Sequence, residues 1–479
     1  MDGADLCAPS RTTTPPPGQP RFYRAVWRWH FYAGLLVLPF LVWLAITGGL
    51  YVFKTEIDGY FHRELKTVPV ATTAVRPASE LVTAALAAHP GQWFKYTQAA
   101  RPGASAEVGV TTLSGERMSV YLDPHDARVL GSLPDRGSVA WTIRQLHSLK
   151  YFGTVARGAI EIAAGWALLL VATGVYLWWP RGRRGGVISV RGRPRQRVFW
   201  RDLHAVTGIL VGFALAFLAL TGMPWSVLWG AQVNRWANGT NFGYPAGVRV
   251  QVPMSTQRLG EDIPTTWSLA QARVPQSVAM PAHENHAGHG SPAPPAPVQP
   301  QESSESIDLD AAALIVQRLG IEPGYTLTPP RGATGVYTAS VYPDDLARQR
   351  VIHLDQYSGR PLVDMRYADY GPLGRWLEWG INVHLGQEFG VPNKVVLVLA
   401  CLGIVLLCMS AAVMWWKRRP TGRLGVPPLP SDRRTLFGVT ALLAVGGVAF
   451  PLVGASLLVM LIADMLFVEQ AFPAARRVE

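Results

Sequence analysis

The chain has 479 residues, 49% of them hydrophobic and only 16% charged, with a formal net charge of +12. Its apolar residues gather into runs long enough to cross a bilayer, which excludes an ordinary soluble enzyme and points to an integral membrane protein. The basic excess flanks those runs, so it reads as a topology signal and excludes a nucleic-acid surface.

Residues 1–20 contain the Pro-rich "TTTPPPGQP" and are expected to form a disordered cytoplasmic tail. The first span, 21–53, is too long for a signal-peptide core and has no small-residue cleavage site. Residues 54–155 form a first external module. In it "SELVTAALAA" reads as a helix, and "AEVGVTT" and "RMSVYLDPHDARVLG" as strands with a turn at Asp123-Pro124. A second span (156–179), a basic loop (180–203) and a third span (204–229) follow. The external segment 230–393 repeats the helix-then-strands order with "DLDAAALIVQRLG", "GVYTASVYP" and "QRVIHLDQYSGRPLV". It also carries an insertion between Pro245 and Ser306, whose His/Pro-rich centre lies at about 281–301 and is expected to be disordered. A fourth span (394–416) and a basic loop (417–434) lead to residues 435–479, read as a fifth span and C-terminal segment. Pro451 kinks that run or turns it along the interface, and Asp464 and Glu469 mark its emergence from the membrane.

Residues 181–203 hold eight Arg against one acidic residue, and 417–434 hold six Lys or Arg against one, so both loops are expected in the cytoplasm with the tail. Each half then runs in, out and back in, a parallel repeat about an axis along the membrane normal. The expected fold is a mainly α integral membrane protein: a four-helix core from two two-helix repeats, a fifth C-terminal span, and two external α+β modules.

The halves share a histidine pattern. His30 precedes Thr47-Gly48 by 17 residues to the threonine, as His204 precedes Thr221-Gly222. His147, opening "HSLKYFG", stands 31 residues before Trp178, as His384, opening "HLGQEFG", stands before Trp415. The topology puts His30 and His204 at the cytoplasmic ends of spans 1 and 3, and His147 and His384 at the external ends of spans 2 and 4. Ionisable side chains in such places are costly and mark function. Two imidazoles facing each other at one height suit the two axial positions of a haem, and helix bundles build cofactor sites in this way. Gly34 and Gly208, one turn from their histidines, would let a flat macrocycle approach the backbone. Thr47 and Thr221 lie too far along to touch the same cofactor edge and are assigned to helix–helix hydrogen bonds. Against this stands the plainer reading, that each histidine snorkels its polar edge into the headgroups. The matched spacings favour ligation.

Other candidates carry less. His283, His286 and His289 form a short tract that would bind a metal ion weakly, or simply a solvated linker. His62, His89, His125 and His353 read as surface or local structural residues, with His62 near enough to span 1 to serve as an alternative ligand. Trp178-Trp179 and Trp415-Trp416 fit the aromatic belt. The three cysteines, Cys7, Cys401 and Cys408, offer no disulfide framework, no covalent haem motif and no iron–sulfur ligand set. No P-loop, nucleophile elbow or dinucleotide fingerprint occurs, so electrons would come from a quinol or a cytoplasmic reductase.

The segments "WRWHFYAGLLVLPFLVWLAITGGLYVF", "LHSLKYFG…WWPRGRR", "DLHAVTGILVGFALAFLALTGMPW" and "VHLGQEFG…WWKRRPTG" resemble the PepSY-associated transmembrane family from Arg21 to about Arg423. The external "YLDPHDARVLG" and "HLDQYSGRPLV" resemble the strand–turn signatures of PepSY modules. The family includes bacterial inner-membrane, iron-regulated ferric-siderophore reductases. The resemblance implies a b-type protein with two haems that reduces iron chelates on the periplasmic side, with His30, His147, His204 and His384 at the motif positions. The rival expectation is a membrane scaffold or transporter whose modules bind a partner, with the histidines used for packing or proton relay. Its spans show neither clearly broken helices nor midplane charges.

Overall fold

The computed structural model describes residues 21–180, 186–237, 251–262, 264–278, 305–419 and 433–463. The N-terminal tail, the tract His283, His286 and His289, Asp464 and Glu469 lie outside the described residues. In chain order the helices are α1 (Arg21–Tyr51), α2 (Lys54–Phe61), α3 (Arg63–Lys66), α4 (Ala78–Ala88), α5 (Val139–His147), α6 (Gly153–Trp178), α7 (Arg197–Gly222), α8 (Trp229–Ala237), α9 (Leu259–Asp262), α10 (Leu309–Arg318), α11 (Pro372–His384), α12 (Val391–Arg418), α13 (Arg433–Ala449) and α14 (Pro451–Ala463). The strands are β1 (Gly91–Thr97), β2 (Ala106–Thr112), β3 (Arg117–Leu122), β4 (Val129–Pro134), β5 (Met254–Arg258), β6 (Arg273–Pro275), β7 (Thr326–Thr328), β8 (Val336–Val341), β9 (Arg350–Asp355) and β10 (Pro361–Arg366).

Among the described residues four helical stretches are long and apolar enough to span a membrane: Phe22–Tyr51, Lys150–Trp178, Arg197–Trp225 and Val391–Arg418. The third starts inside the region read as basic loop. Asp202, fully buried, anchors that first turn through the Arg191 guanidinium at 2.8 Å and Arg201 at 2.5 Å. The contacts divide the chain into two compact units, and each of the four long helices contributes to both.

The first unit comprises residues 1–39, 165–213 and 406–479. Here the fifth apolar run departs from the expected single span. It breaks at Pro451, which has no N–H to continue a helix, into α13 and α14, of which 17 and 13 residues are described. The two fold back on each other. A Cβ on Gly447 would lie 2.8 Å from the Gly454 Cα, a close approach that a side chain there would forbid. Against α6, Trp166 donates its indole N–H to Ser456 Oγ at 2.9 Å, and Gly165 leaves room for Val453.

The second unit comprises residues 40–164 and 214–405. The two external modules read from the sequence are not separate sheets. They join in one antiparallel sheet of eight strands, ordered β10-β9-β8-β7-β1-β2-β3-β4. The junction is the first strand that each module gives to this sheet, β1 on β7, through Tyr96↔Leu327 and Thr97↔Thr326. Their helices meet as well, Ser79 donating its N–H to Asp310 of α10 at 3.0 Å. One core runs across both, with Leu81, Val108, Val120, Leu327, Ala339 and Ile352 at 0% exposure. Burying each large aliphatic side chain contributes about 1.5–3 kcal/mol, so fusing the modules gives two small layers one shared core. Residues 252–262 and 264–274 cover the opposite face of the second module, packing Leu259 and Leu269 on Val336, Val351 and Met365. That cover explains why every residue of β8 and β9 is buried, where alternation alone suggests one wet face.

Candidate functional site: two histidine pairs

His30 and His204 lie in the first unit, and His147 and His384 in the second. His30 sits on α1 and His204 on α7. The other two do not sit on the spans. His147 ends α5 and His384 ends α11, short helices that precede α6 and α12. Each is followed two residues later by a left-handed residue, Leu149 at φ +49° and Gly386 at φ +75°, which stops the helix just past the imidazole.

α5 is held at its start as well as its end. Ser138 caps it by accepting the Trp141 N–H at 3.2 Å. Asp58 accepts from Ala140 N–H at 2.9 Å, and His62 Nε2 accepts from Val139 N–H at 3.1 Å. His62 is thus a capping residue for the helix that carries His147, and that bond occupies its Nε2. The Trp43 indole donates to Leu146 O at 2.9 Å, fixing the residue before His147. On α11, the buried carboxylate of Glu378 accepts the Ser268 N–H at 2.8 Å, and Asn382 donates to Asp344 O at 2.8 Å.

All four imidazoles are anchored through Nδ1. His30 Nδ1 is 2.8 Å from Thr173 Oγ1, His147 Nδ1 is 2.9 Å from Thr47 Oγ1, and His384 Nδ1 is 2.7 Å from Thr221 Oγ1. His204 Nδ1 is 3.1 Å from Leu407 O and 3.2 Å from Ser410 Oγ. A hydroxyl has one proton to give. Thr47, Thr173 and Thr221 each spend it on the carbonyl four residues back, Trp43, Leu169 and Phe217, at 2.7 Å. Ser410 spends its own on Leu407 O at 2.8 Å. Every partner of an imidazole Nδ1 can therefore only accept, so each Nδ1 carries the proton and each Nε2 is left as an unprotonated lone pair. This is the tautomer of a histidine ready to bind a metal, with its other ring nitrogen held by a neighbour.

Glycines complete the cradles. A Cβ on Gly48 would stand 3.1 Å from His147 Cε1, on Gly174 3.4 Å from His30 Cε1, and on Gly222 3.6 Å from His384 Cε1. In each of three Thr-Gly dipeptides (47–48, 173–174 and 221–222) the hydroxyl takes Nδ1–H and the bare Cα makes room for the ring edge. Ser410-Ala411 stands where a fourth is due. Thr173 follows His147 by 26 residues, as Ser410 follows His384; that repeated offset would have exposed them. Thr47 and Thr221, assigned from sequence to helix–helix bonding, bond to histidines on neighbouring helices.

The first pair has ring centroids 6.5 Å apart with the planes at 84°. A metal between two imidazoles places the centroids roughly 6 Å apart, from about 2 Å of metal–nitrogen bond on each side plus the nitrogen-to-centre distance. The donor set and spacing fit one axial pair. In the second pair, burial lowers the pKa of His384 to about 3, with His147 contributing, and burial lowers that of His147 to about 4. Both rings are neutral at physiological pH, as ligation requires. Gly34 faces space, a Cβ there meeting nothing within 4 Å, and one on Gly208 would reach Leu407 at 3.5 Å. Among the described residues no group of three or more His, Cys, Asp or Glu could hold a metal ion. His353 is fully buried and bonds Thr338 Oγ1 at 2.8 Å inside the sheet, while His89 and His125 bond Ser132 and Thr73 locally.

No curated protein sequence matches the chain. The family model described as the PepSY-associated TM region matches residues 27–418. That match takes in all four histidines and their cradles, and the chain belongs to the PepSY-associated transmembrane family.

Proposed function

We propose that the protein is a haem-containing oxidoreductase of the bacterial cytoplasmic membrane. It passes electrons from a quinol or a cytoplasmic reductase to a ferric chelate, a siderophore, on the periplasmic side, and so releases iron. The observation that carries this reading is the shared state of four imidazoles: Nδ1–H given to a hydroxyl or carbonyl, and the Nε2 lone pair left over, in two pairs.

His30 with His204, and His147 with His384, would each hold one b-type haem. Such a group supplies a one-electron couple that stays within the apolar interior. The protein's own contributions follow from the cradles. The Nδ1–H bonds keep each ring from rotating and raise the basicity of Nε2. The glycines let the rings pack against a helix backbone. α1 carries a ligand of one pair, His30, and the threonine that orients a ligand of the other, Thr47; α7 does the same with His204 and Thr221. Reduction of ferric to ferrous iron takes one electron per metal ion, and the ferrous ion is held more weakly by hard oxygen ligands.

The test is a reduced-minus-oxidised visible spectrum of the detergent-purified protein, with haem quantified as its pyridine complex. One b-type haem per histidine pair is the expected result, and His30→Ala and His384→Ala should each remove one. A colourless protein, expressed with ample haem supply, would overturn the reading and favour the scaffold or transporter.

A further inference from the structure

Above the His147 cradle stands a group of cations that the ligand reading leaves unused. On α1, Tyr51 follows Thr47 by four residues and shares its helical face one turn on, and Lys54 opens α2 just beyond it. On α5, Arg144 precedes His147 by three residues and shares its face. The two cations meet on Tyr51: the Arg144 guanidinium lies near its hydroxyl, and the Lys54 ammonium lies 5.7 Å from the ring centroid. Arg144 also stacks on Trp141 at 4.8 Å, which fixes its direction.

These charges are poorly compensated. Among the described residues neither Lys54 nor Arg144 has a carboxylate within ion-pair distance. Glu56, on the same short helix as Lys54, is taken by Lys394 at 2.6 Å. Burial holds the Lys54 ammonium below its ordinary pKa; Asp344 and Glu56 pull it up, and Arg144 and Lys394 push it down. Two half-buried cations side by side cost free energy unless an anion joins them. The second half has no counterpart. Trp225 and Leu228 stand four and seven residues after Thr221, and Ile381 stands three before His384.

We propose that Lys54 and Arg144, joined through Tyr51, form a carboxylate-binding ledge that takes the propionates of the haem held by His147 and His384. The inference rests on the haem reading above. A b-type haem carries both carboxylates on one edge, so the ledge decides which way that edge points: toward α1 and α5, away from the apolar positions of the second half. His147 and His384 alone leave the macrocycle free to turn in its own plane. The ledge fixes that rotation, and it also raises the potential of this haem, because cations beside the iron disfavour its extra positive charge when oxidised.

The test compares wild-type protein with Lys54→Met, Arg144→Met and the double variant, each loaded with haem b or with its dimethyl ester, whose edge carries no charge. With haem b, the double variant should hold the external haem on the order of tenfold more weakly, as when a supporting contact of a ligand set is lost, and its midpoint potential should fall. With the dimethyl ester, wild type and variant should hold the haem with equal affinity. Lys54→Arg and Arg144→Lys, which keep the charge, should restore the haem b values and so exclude misfolding. Equal losses of affinity with both haems, or none with either, would overturn the ledge while leaving the haem reading intact. A shift seen in phosphatidylglycerol nanodiscs and lost in phosphatidylcholine ones would assign the cations to a lipid headgroup and overturn it too. A wild-type protein without haem would remove both readings together.

Discussion

Replacing Thr221 by Val tests the tautomer assignment at a single atom. The side chain keeps its shape but loses Oγ1, the acceptor of the His384 Nδ1–H at 2.7 Å. The donor is then left without a partner in surroundings that already lower the imidazole pKa to about 3 by burial. An unsatisfied buried donor costs about 1–3 kcal/mol. The same 1–3 kcal/mol is a roughly 5- to 150-fold loss in affinity for whatever Nε2 binds. The ring can recover part of this by turning over or shifting its proton, but either change moves the lone pair away from the position shared with His147. Haem titration into haem-depleted protein, read in the visible spectrum, measures the loss. Thr221→Ser keeps a hydroxyl and should behave nearly as wild type. Thr47→Val should mirror Thr221→Val at the same pair, while Thr173→Val should weaken the His30–His204 pair. If Thr221→Val and Thr47→Val both bind with unchanged affinity and spectrum, the hydroxyls do not orient the rings, and the tautomer assignment is refuted.

The cradle glycines give a graded series. Alanine at Gly48, Gly174 and Gly222 would put Cβ at 3.1, 3.4 and 3.6 Å from an imidazole carbon, so haem retention after purification should fall most for Gly48→Ala and least for Gly222→Ala; the reverse order would refute the packing role. Glu378→Gln probes pH dependence away from the spans. Burial raises the Glu378 pKa, so the folded state holds this proton more tightly than the unfolded chain does, and stability falls as pH rises from the ordinary carboxyl range through the raised value. Gln keeps an oxygen to accept the Ser268 N–H and removes the charge. Thermal melts of the variant should therefore show higher stability than wild type at neutral pH and a flatter pH profile; identical profiles would show that the carboxyl is not strained.

Much of this protein was legible in the chain alone. Four apolar runs, basic loops and paired histidines are local or periodic features. A bilayer demands about 20 apolar residues per helix and a duplicated half repeats its spacings, so spans and ligand candidates could be read from residues such as His30, His204 and the 17-residue offset to Thr47 and Thr221. Their partners could not. Thr173 lies 143 residues from His30, and Thr47 lies 100 from His147. Sequence carries no sign of which hydroxyl faces which ring, nor that the hydroxyl proton is already committed to its own helix. Placing His147 and His384 on separate short helices likewise required seeing Leu149 and Gly386 turn the chain at positive φ. The external modules announced their strands by alternation, yet only tertiary structure decided that β1 and β7 pair, because strand edges are satisfied by any partner that arrives in register. The last apolar run had the composition of a span. Its packing folds it at Pro451 into a hairpin against α6, since Gly165, Gly447 and Gly454 permit backbone approaches that hydropathy does not record. Composition and period decided what each segment is made to do, and long-range complementarity of shape and hydrogen bonding decided what each one touches.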